Sequence, residues 1–120
     1  MSGPIDEATF DRLVEMTGGE LDFVDELVDT YLEEADGQVT ALRAALERDD
    51  QEALIRAAHS LKSGSLNVGA LELGEACRGL EEGLRQGRIA DAQELVTDIA
   101  AGFAEARTAL LGERERRAPL

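Results

Sequence analysis

The stretch that decides the fold runs Ala57-Ala58-His59-Ser60-Leu61-Lys62-Ser63-Gly64-Ser65 and carries the only histidine of the chain. Each residue of an α-helix turns about 100° around the axis. With Leu54 at the centre of an inner face, Ala57, Ala58, Leu61, Ser65 and Val68 fall within roughly 60° of it. His59 falls about 140° away, on the outer side. The segment therefore reads as a helix that buries an apolar stripe and holds its histidine out. Lys62 at i+3 and Ser63 at i+4 are the histidine's neighbours on the helix surface. Ile55 and Arg56 flank it from the preceding turn, and Leu66 lies two turns on.

This outer face has three properties. Arg56 and Lys62 make it cationic in a chain whose formal net charge is −14. A phosphoryl group adds nearly two negative charges near neutral pH, so in so acidic a protein it needs local compensation. Lys62 is the nearest counter-ion. Ser63, Gly64 and Ser65 keep the next turn low, so that a partner can approach the imidazole. Ile55 and Leu66 are apolar residues leaning outward, which suggests a docking patch that also includes Arg56. Ser63-Gly64-Ser65 is a costly choice for a helix, since Gly is about 1 kcal/mol worse than Ala in a helix interior. Steric access or close helix packing would explain it. A face of this kind suits a group that accepts a charged fragment and hands it on.

The remaining chain repeats the helical period. A short first helix is expected near 6–16, on Phe10, Leu13 and Val14, ended by Thr17-Gly18-Gly19. A long one follows over about 20–48, with the stripe Val24, Leu27, Val28, Tyr31, Ala35, Val39, Leu42, Ala45 and Leu46. Gly37 is its weak point, where a bend is expected. Asp49-Asp50 supply turn and N-cap chemistry for the histidine helix, about 51–67. Val68-Gly69-Ala70 breaks it. The next helix, about 70–86, uses Leu73, Cys77, Leu80 and Leu84 and has Gly87 as its C-terminal cap. The last, about 90–112, uses Ala92, Leu95, Val96, Ile99, Phe103, Ala106 and Leu110. Residues 113–120 read as a short charged tail outside a core of about 6–112. Four sizeable amphipathic helices with short loops favour an all-α fold: an antiparallel, up-and-down four-helix bundle with a short additional N-terminal helix.

Composition bounds the function. The 120 residues suit one domain, and 43% hydrophobic content argues for a packed core despite 32% charged residues. The acidic balance argues against nucleic acid and against an anionic membrane surface. No run of about 18 apolar residues is present, so no membrane span is expected. The start, Met1-Ser2-Gly3-Pro4-Ile5-Asp6-Glu7, lacks the basic and apolar segments of a signal peptide. One cysteine, Cys77, rules out an internal disulfide and suits a reducing compartment, so a cytoplasmic location is expected. Cys77 continues the stripe begun by Leu73 and reads as a small core residue. A single histidine with no second histidine or positioned cysteine makes a weak metal or haem site, so no bound metal is expected. No glycine-rich phosphate loop is present, so the chain is not expected to bind ATP. A monomer is the default expectation.

Ala58-His59-Ser60-Leu61-Lys62-Ser63-Gly64-Ser65-Leu66-Asn67-Val68-Gly69-Ala70, followed by Leu73, Cys77, Leu80 and Glu81, resembles the signature of histidine-containing phosphotransfer (HPt) domains of bacterial two-component phosphorelays. The strong match covers about 54–84, and the helix order extends it over nearly the whole chain. Gly64 stands where a small serine is more usual in that family, and Leu66 where alanine is common. The resemblance implies that His59 accepts a phosphoryl group on Nε2. The donor would be the phospho-aspartate of a response-regulator receiver domain, or a sensor or hybrid histidine kinase, and a second receiver aspartate would take the group on. It also implies that Lys62 neutralises the phosphate and that Ser63 is the small residue beside it. The chain itself would hold no cofactor, with Mg²⁺ supplied by the receiver, and would act as a carrier without autokinase activity. The same resemblance leaves open a stand-alone protein, a module of a hybrid kinase, or the phosphotransfer domain of a chemotaxis-type kinase. The alternative from another class is a helical binding module that docks a receiver or kinase without carrying phosphate.

Overall fold

Three aspartates start three of the helices. Asp6, Asp50 and Asp91 each accept the backbone N–H three residues on, from Thr9, Ala53 and Glu94, at 3.1 Å in every case. Each bond satisfies an amide that a helix start leaves without a partner. The computed structural model describes residues 3–87 and 91–118, and these form α1 (Glu7–Met16), α2 (Leu21–Glu47), α3 (Gln51–Val68), α4 (Leu71–Arg85) and α5 (Ala92–Arg117). The expected start of the last helix at residue 90 lies outside the described residues. Helix α2 runs through Gly37 without interruption.

Helices α2 to α5 close a ring in which α3 packs on α2 and α4, and α5 packs on α4 and α2. The three residues between α2 and α3 and the two between α3 and α4 are too few for anything but reversal of direction, so neighbours run antiparallel. The expected four-helix bundle is the one observed. Its interior holds Val28, Leu42, Leu61, Leu80, Ile99 and Leu110, all essentially inaccessible, and an edge-to-face pair of Tyr31 and Phe103 with centroids 6.3 Å apart.

Helix α1 closes the end of the bundle where α3 turns into α4. That turn is made by Gly69 at φ 92°, a left-handed conformation in which glycine carries no Cβ penalty. Its carbonyl accepts the Asp6 N–H at 2.7 Å. Phe10 of α1 is fully buried. The tail expected at 113–120 is instead helical as far as Arg117. Residues 113–117 lack an apolar stripe, but their arginines reach across the bundle end. Arg114 pairs with Asp25 and Asp29 of α2, Arg116 with Glu7, and Arg117 with Asp11 while lying 5.0 Å over the Phe10 ring. Residues 119 and 120 lie outside the described residues.

A second departure concerns α2. Leu27, expected within the buried stripe, is 42% exposed, and Phe23 beside it is 55% exposed. The α2 core line passes through Val24, Val28, Tyr31 and Ala35. Leu27 sits at its edge, facing away from the bundle axis.

Candidate functional site

His59 stands on the outer side of α3, as its phase requires, with 57% of its side chain exposed. Its ring is nevertheless held. Nδ1 lies 3.0 Å from Oε2 of Glu81 on α4. Oε1 of the same carboxylate accepts from Lys62 Nζ at 2.9 Å, and Oε2 also accepts from Arg85 Nη2 at 3.0 Å. Glu81 is 7% exposed, so one buried anion gathers an imidazole, an ammonium and a guanidinium.

The electrostatics of Glu81 follow from that arrangement. Burial penalises its charge, but the bonds from Lys62, Arg85 and His59 outweigh this and bring the carboxyl down from 4.5 to about 2. Glu81 is therefore ionised at neutral pH and only accepts hydrogen bonds. The proton of a neutral His59 ring must then sit on Nδ1, which leaves the Nε2 lone pair on the exposed side.

Lys62, the chain's only lysine, is 21% exposed and held on α3 one turn from the histidine. The Ser63 hydroxyl donates to the His59 carbonyl at 3.2 Å, so at rest it is engaged by its own helix. Arg56 is exposed one turn before His59. The two apolar residues read as docking groups are less free than their phase suggested. Ile55 is half-buried against the core. Leu66 is half-buried too and turns its side chain toward Gly74 of α4, where an added Cβ would lie 2.5 Å from Leu66 Cδ2. The α3–α4 seam thus absorbs Leu66, because Gly74 leaves a hollow for it.

The glycine at position 64 has a packing cause. A Cβ there would meet the Tyr31 ring at 3.3 Å. Tyr31 is held in turn by a 2.8 Å hydrogen bond to the buried hydroxyl of Ser65. Of the two explanations for the small turn, close helix packing accounts for Gly64 and Ser65.

Glu81, Arg85 and Tyr31 were not assigned roles at the site from the sequence. A signal for Glu81 was present. It lies one residue after Leu80 and four after Cys77, inside the buried stripe of α4. A carboxylate on a core line needs cationic partners, and Lys62 projects from the helix packed against it. Among the described residues no group of His, Cys, Asp or Glu side chains is placed to hold a metal ion, and no helix is long and apolar enough to cross a membrane.

An antiparallel bundle that displays one polarised imidazole beside a lysine has the architecture of a phosphoryl-group carrier. The model of the Hpt domain family matches residues 26–109, and the chain belongs to this histidine phosphotransfer family. The structure is similar to that of histidine-containing phosphotransfer protein B (HptB) from Pseudomonas aeruginosa PAO1. The TM-score is 0.87 at 33% identity, over 97% of this chain and 98% of that one. It also shares its fold with the histidine-containing phosphotransfer protein ZmHP2 from maize, with TM-score 0.80 at 23% identity over 96% and 85% of the two chains. No curated protein sequence matches the chain. Its function is histidine phosphotransfer in a phosphorelay.

Proposed function

We propose that His59 is the phospho-acceptor, that Nε2 is the nucleophile, and that a receiver-domain phospho-aspartate or a histidine kinase is the donor. The observation that carries this reading is the Nδ1 contact to ionised Glu81, which puts the proton on one ring nitrogen and the lone pair on the exposed one. Phosphoryl transfer is largely positioning and charge neutralisation. Lys62 supplies a compact, rotatable charge within one helical turn of the new phosphate. Ser63 and Gly64 leave room for the incoming group. The Mg²⁺ and acidic pocket belong to the receiver, and no ATP site or autokinase activity resides in this chain. A cytoplasmic monomer is the form in which we expect it to act.

The receiver would dock across α2 and α3. At 100° per residue, Asp25 and Asp29 lie on one side of the buried line of α2, and Phe23, Leu27 and Thr30 on the other. The first side meets α5 through Arg114. The second therefore slopes toward α3. Phe23 and Leu27, with Met16 at 83% exposure, then continue the low surface of Gly64 away from His59. Such an apolar patch on an acidic protein marks an interaction surface. It takes the place of Ile55 and Leu66 as the hydrophobic part of the docking face.

Transfer from a ³²P-labelled receiver in Mg²⁺ buffer to the parent chain and to His59→Gln tests the reading. Acid-labile, alkali-stable label on the parent and none on the variant is expected. Label that persists on folded His59→Gln moves the acceptor elsewhere. No label on either chain favours the binding module.

A further inference from the structure

Glu81 does more than orient a ring, and the reason is a charge count around one carboxylate. At rest its single negative charge is shared between Lys62 and Arg85, and it also accepts a hydrogen bond from His59 Nδ1–H. When Nε2 attacks phosphorus, the N–P bond forms and the aspartyl O–P bond breaks, with its electron pair returning to the donor carboxylate. The Nδ1 proton stays where it was. The ring has then become a phospho-imidazolium, and its positive charge lies against the Glu81 anion. A protonated ring is the better leaving group, since breaking the N–P bond returns the electron pair to Nε2 and restores a neutral imidazole with no further proton movement. A ring that lost the Nδ1 proton would hold the phosphoryl group more firmly.

We propose that Glu81 is a positioning residue that keeps the phosphohistidine labile, so that the carrier passes its phosphoryl group on instead of trapping it. This deepens the function proposed above and rests on His59 as acceptor. Two effects act in the same direction. The anion favours the protonated ring across the 3.0 Å contact to Nδ1. It also competes with the phosphoryl oxygens for Lys62, whose Nζ it already holds at 2.9 Å, and for Arg85. Removing the charge while keeping the acceptor atom frees both cations for the phosphate and lets the ring lose its proton. Either change lengthens the life of the N–P bond.

The test loads the full chain, Glu81→Gln and Glu81→Asp with phosphoramidate and follows loss of phosphohistidine at pH 8 by ³¹P NMR. Glu81→Gln keeps an oxygen that accepts from Nδ1–H, and ¹⁵N spectra of the free ring verify that the tautomer is unchanged. The expected result is a phosphohistidine about tenfold longer-lived in Glu81→Gln, the scale of losing one hydrogen bond to a charged group. Glu81→Asp, which retains the charge, should lie near the parent. Equal lifetimes in the parent and Glu81→Gln overturn the proposal. So do equally lengthened lifetimes in Glu81→Gln and Glu81→Asp, which indicate a purely structural role. A parent that cannot be loaded at His59 overturns the acceptor assignment itself, and this proposal with it.

Discussion

The Tyr31 hydroxyl lies 2.8 Å from Ser65 Oγ, and it joins α2 to α3 inside the bundle. Both groups are buried, and burial pushes the Tyr31 phenol up to about 12. A buried hydroxyl left without its partner costs about 1–3 kcal/mol, whereas removing both partners is nearly neutral. Tyr31→Phe and Ser65→Ala should each lower stability by about 1–2 kcal/mol in urea titrations. The double variant should lose less than their sum, and the shortfall measures the bond. Additive losses would mean that each hydroxyl finds another partner.

Gly69→Ala should be the most damaging single-methyl change in the chain. The residue sits at φ 92°, and an added Cβ would lie 2.9 Å from the Asp6 carbonyl oxygen, a backbone atom that cannot swing aside. The left-handed conformation alone costs a non-glycine residue about 1–2 kcal/mol. Displacing Asp6 also removes its N–H bond to the Gly69 carbonyl. A loss of about 3 kcal/mol is expected, with faster amide exchange in α1 than in α3. A variant of parental stability would show that α1 is not anchored through this turn.

Acid should reveal the charge on Glu81. Its folded-state value, about 2, lies below the 4.5 of an ordinary glutamate, because the bonds from Lys62, Arg85 and His59 outweigh the cost of burial. The stabilisation is complete above 4.5 and is lost as pH falls toward 2. Between pH 6 and pH 3 this one residue should remove about 2 kcal/mol of stability. In denaturant titrations at the two pH values the parent should lose about 2 kcal/mol more than Glu81→Gln. Equal losses in the two proteins would mean that another carboxylate governs acid unfolding.

The helices were legible because their apolar residues recur at helical spacing and their ends carry Asp50, Gly69 and Gly87, whose effects are local. The outward placement of His59 came from the same arithmetic. What lay beyond reach depends on pairs distant in sequence. The run Glu113-Arg114-Glu115-Arg116-Arg117 has no stripe of its own, and its helix is supported by Glu7, Asp11, Asp25 and Asp29 on other elements. Leu66 looked outward by phase, but the hollow that receives it is made by Gly74, and phase carries no information about a neighbour's shape. Leu27 failed in the opposite way. It sits one step off the α2 core line, close enough to be counted with it and far enough to reach solvent. Glu81 was visible as a charge on a buried stripe, but which cations it gathers depended on how α3 packs against α4.

The docking face is tested by contrasting Leu27 with Ile55. Leu27 and Phe23 are 42% and 55% exposed, so aspartate at either position buries no charge and should leave the melting temperature close to that of the parent. Interface residues that matter contribute more than about 1 kcal/mol each, so Leu27→Asp and Phe23→Asp should weaken receiver binding about tenfold. Ile55 is half-buried and packs on the core, so Ile55→Asp forces a charge toward an apolar environment and should lower the melting temperature. Calorimetric titration with a receiver domain, alongside thermal melts, separates the two effects. If Leu27→Asp binds as the parent does while Ile55→Asp stays folded and binds weakly, the receiver approaches over the α3–α4 side of His59, and the α2 stripe serves another purpose.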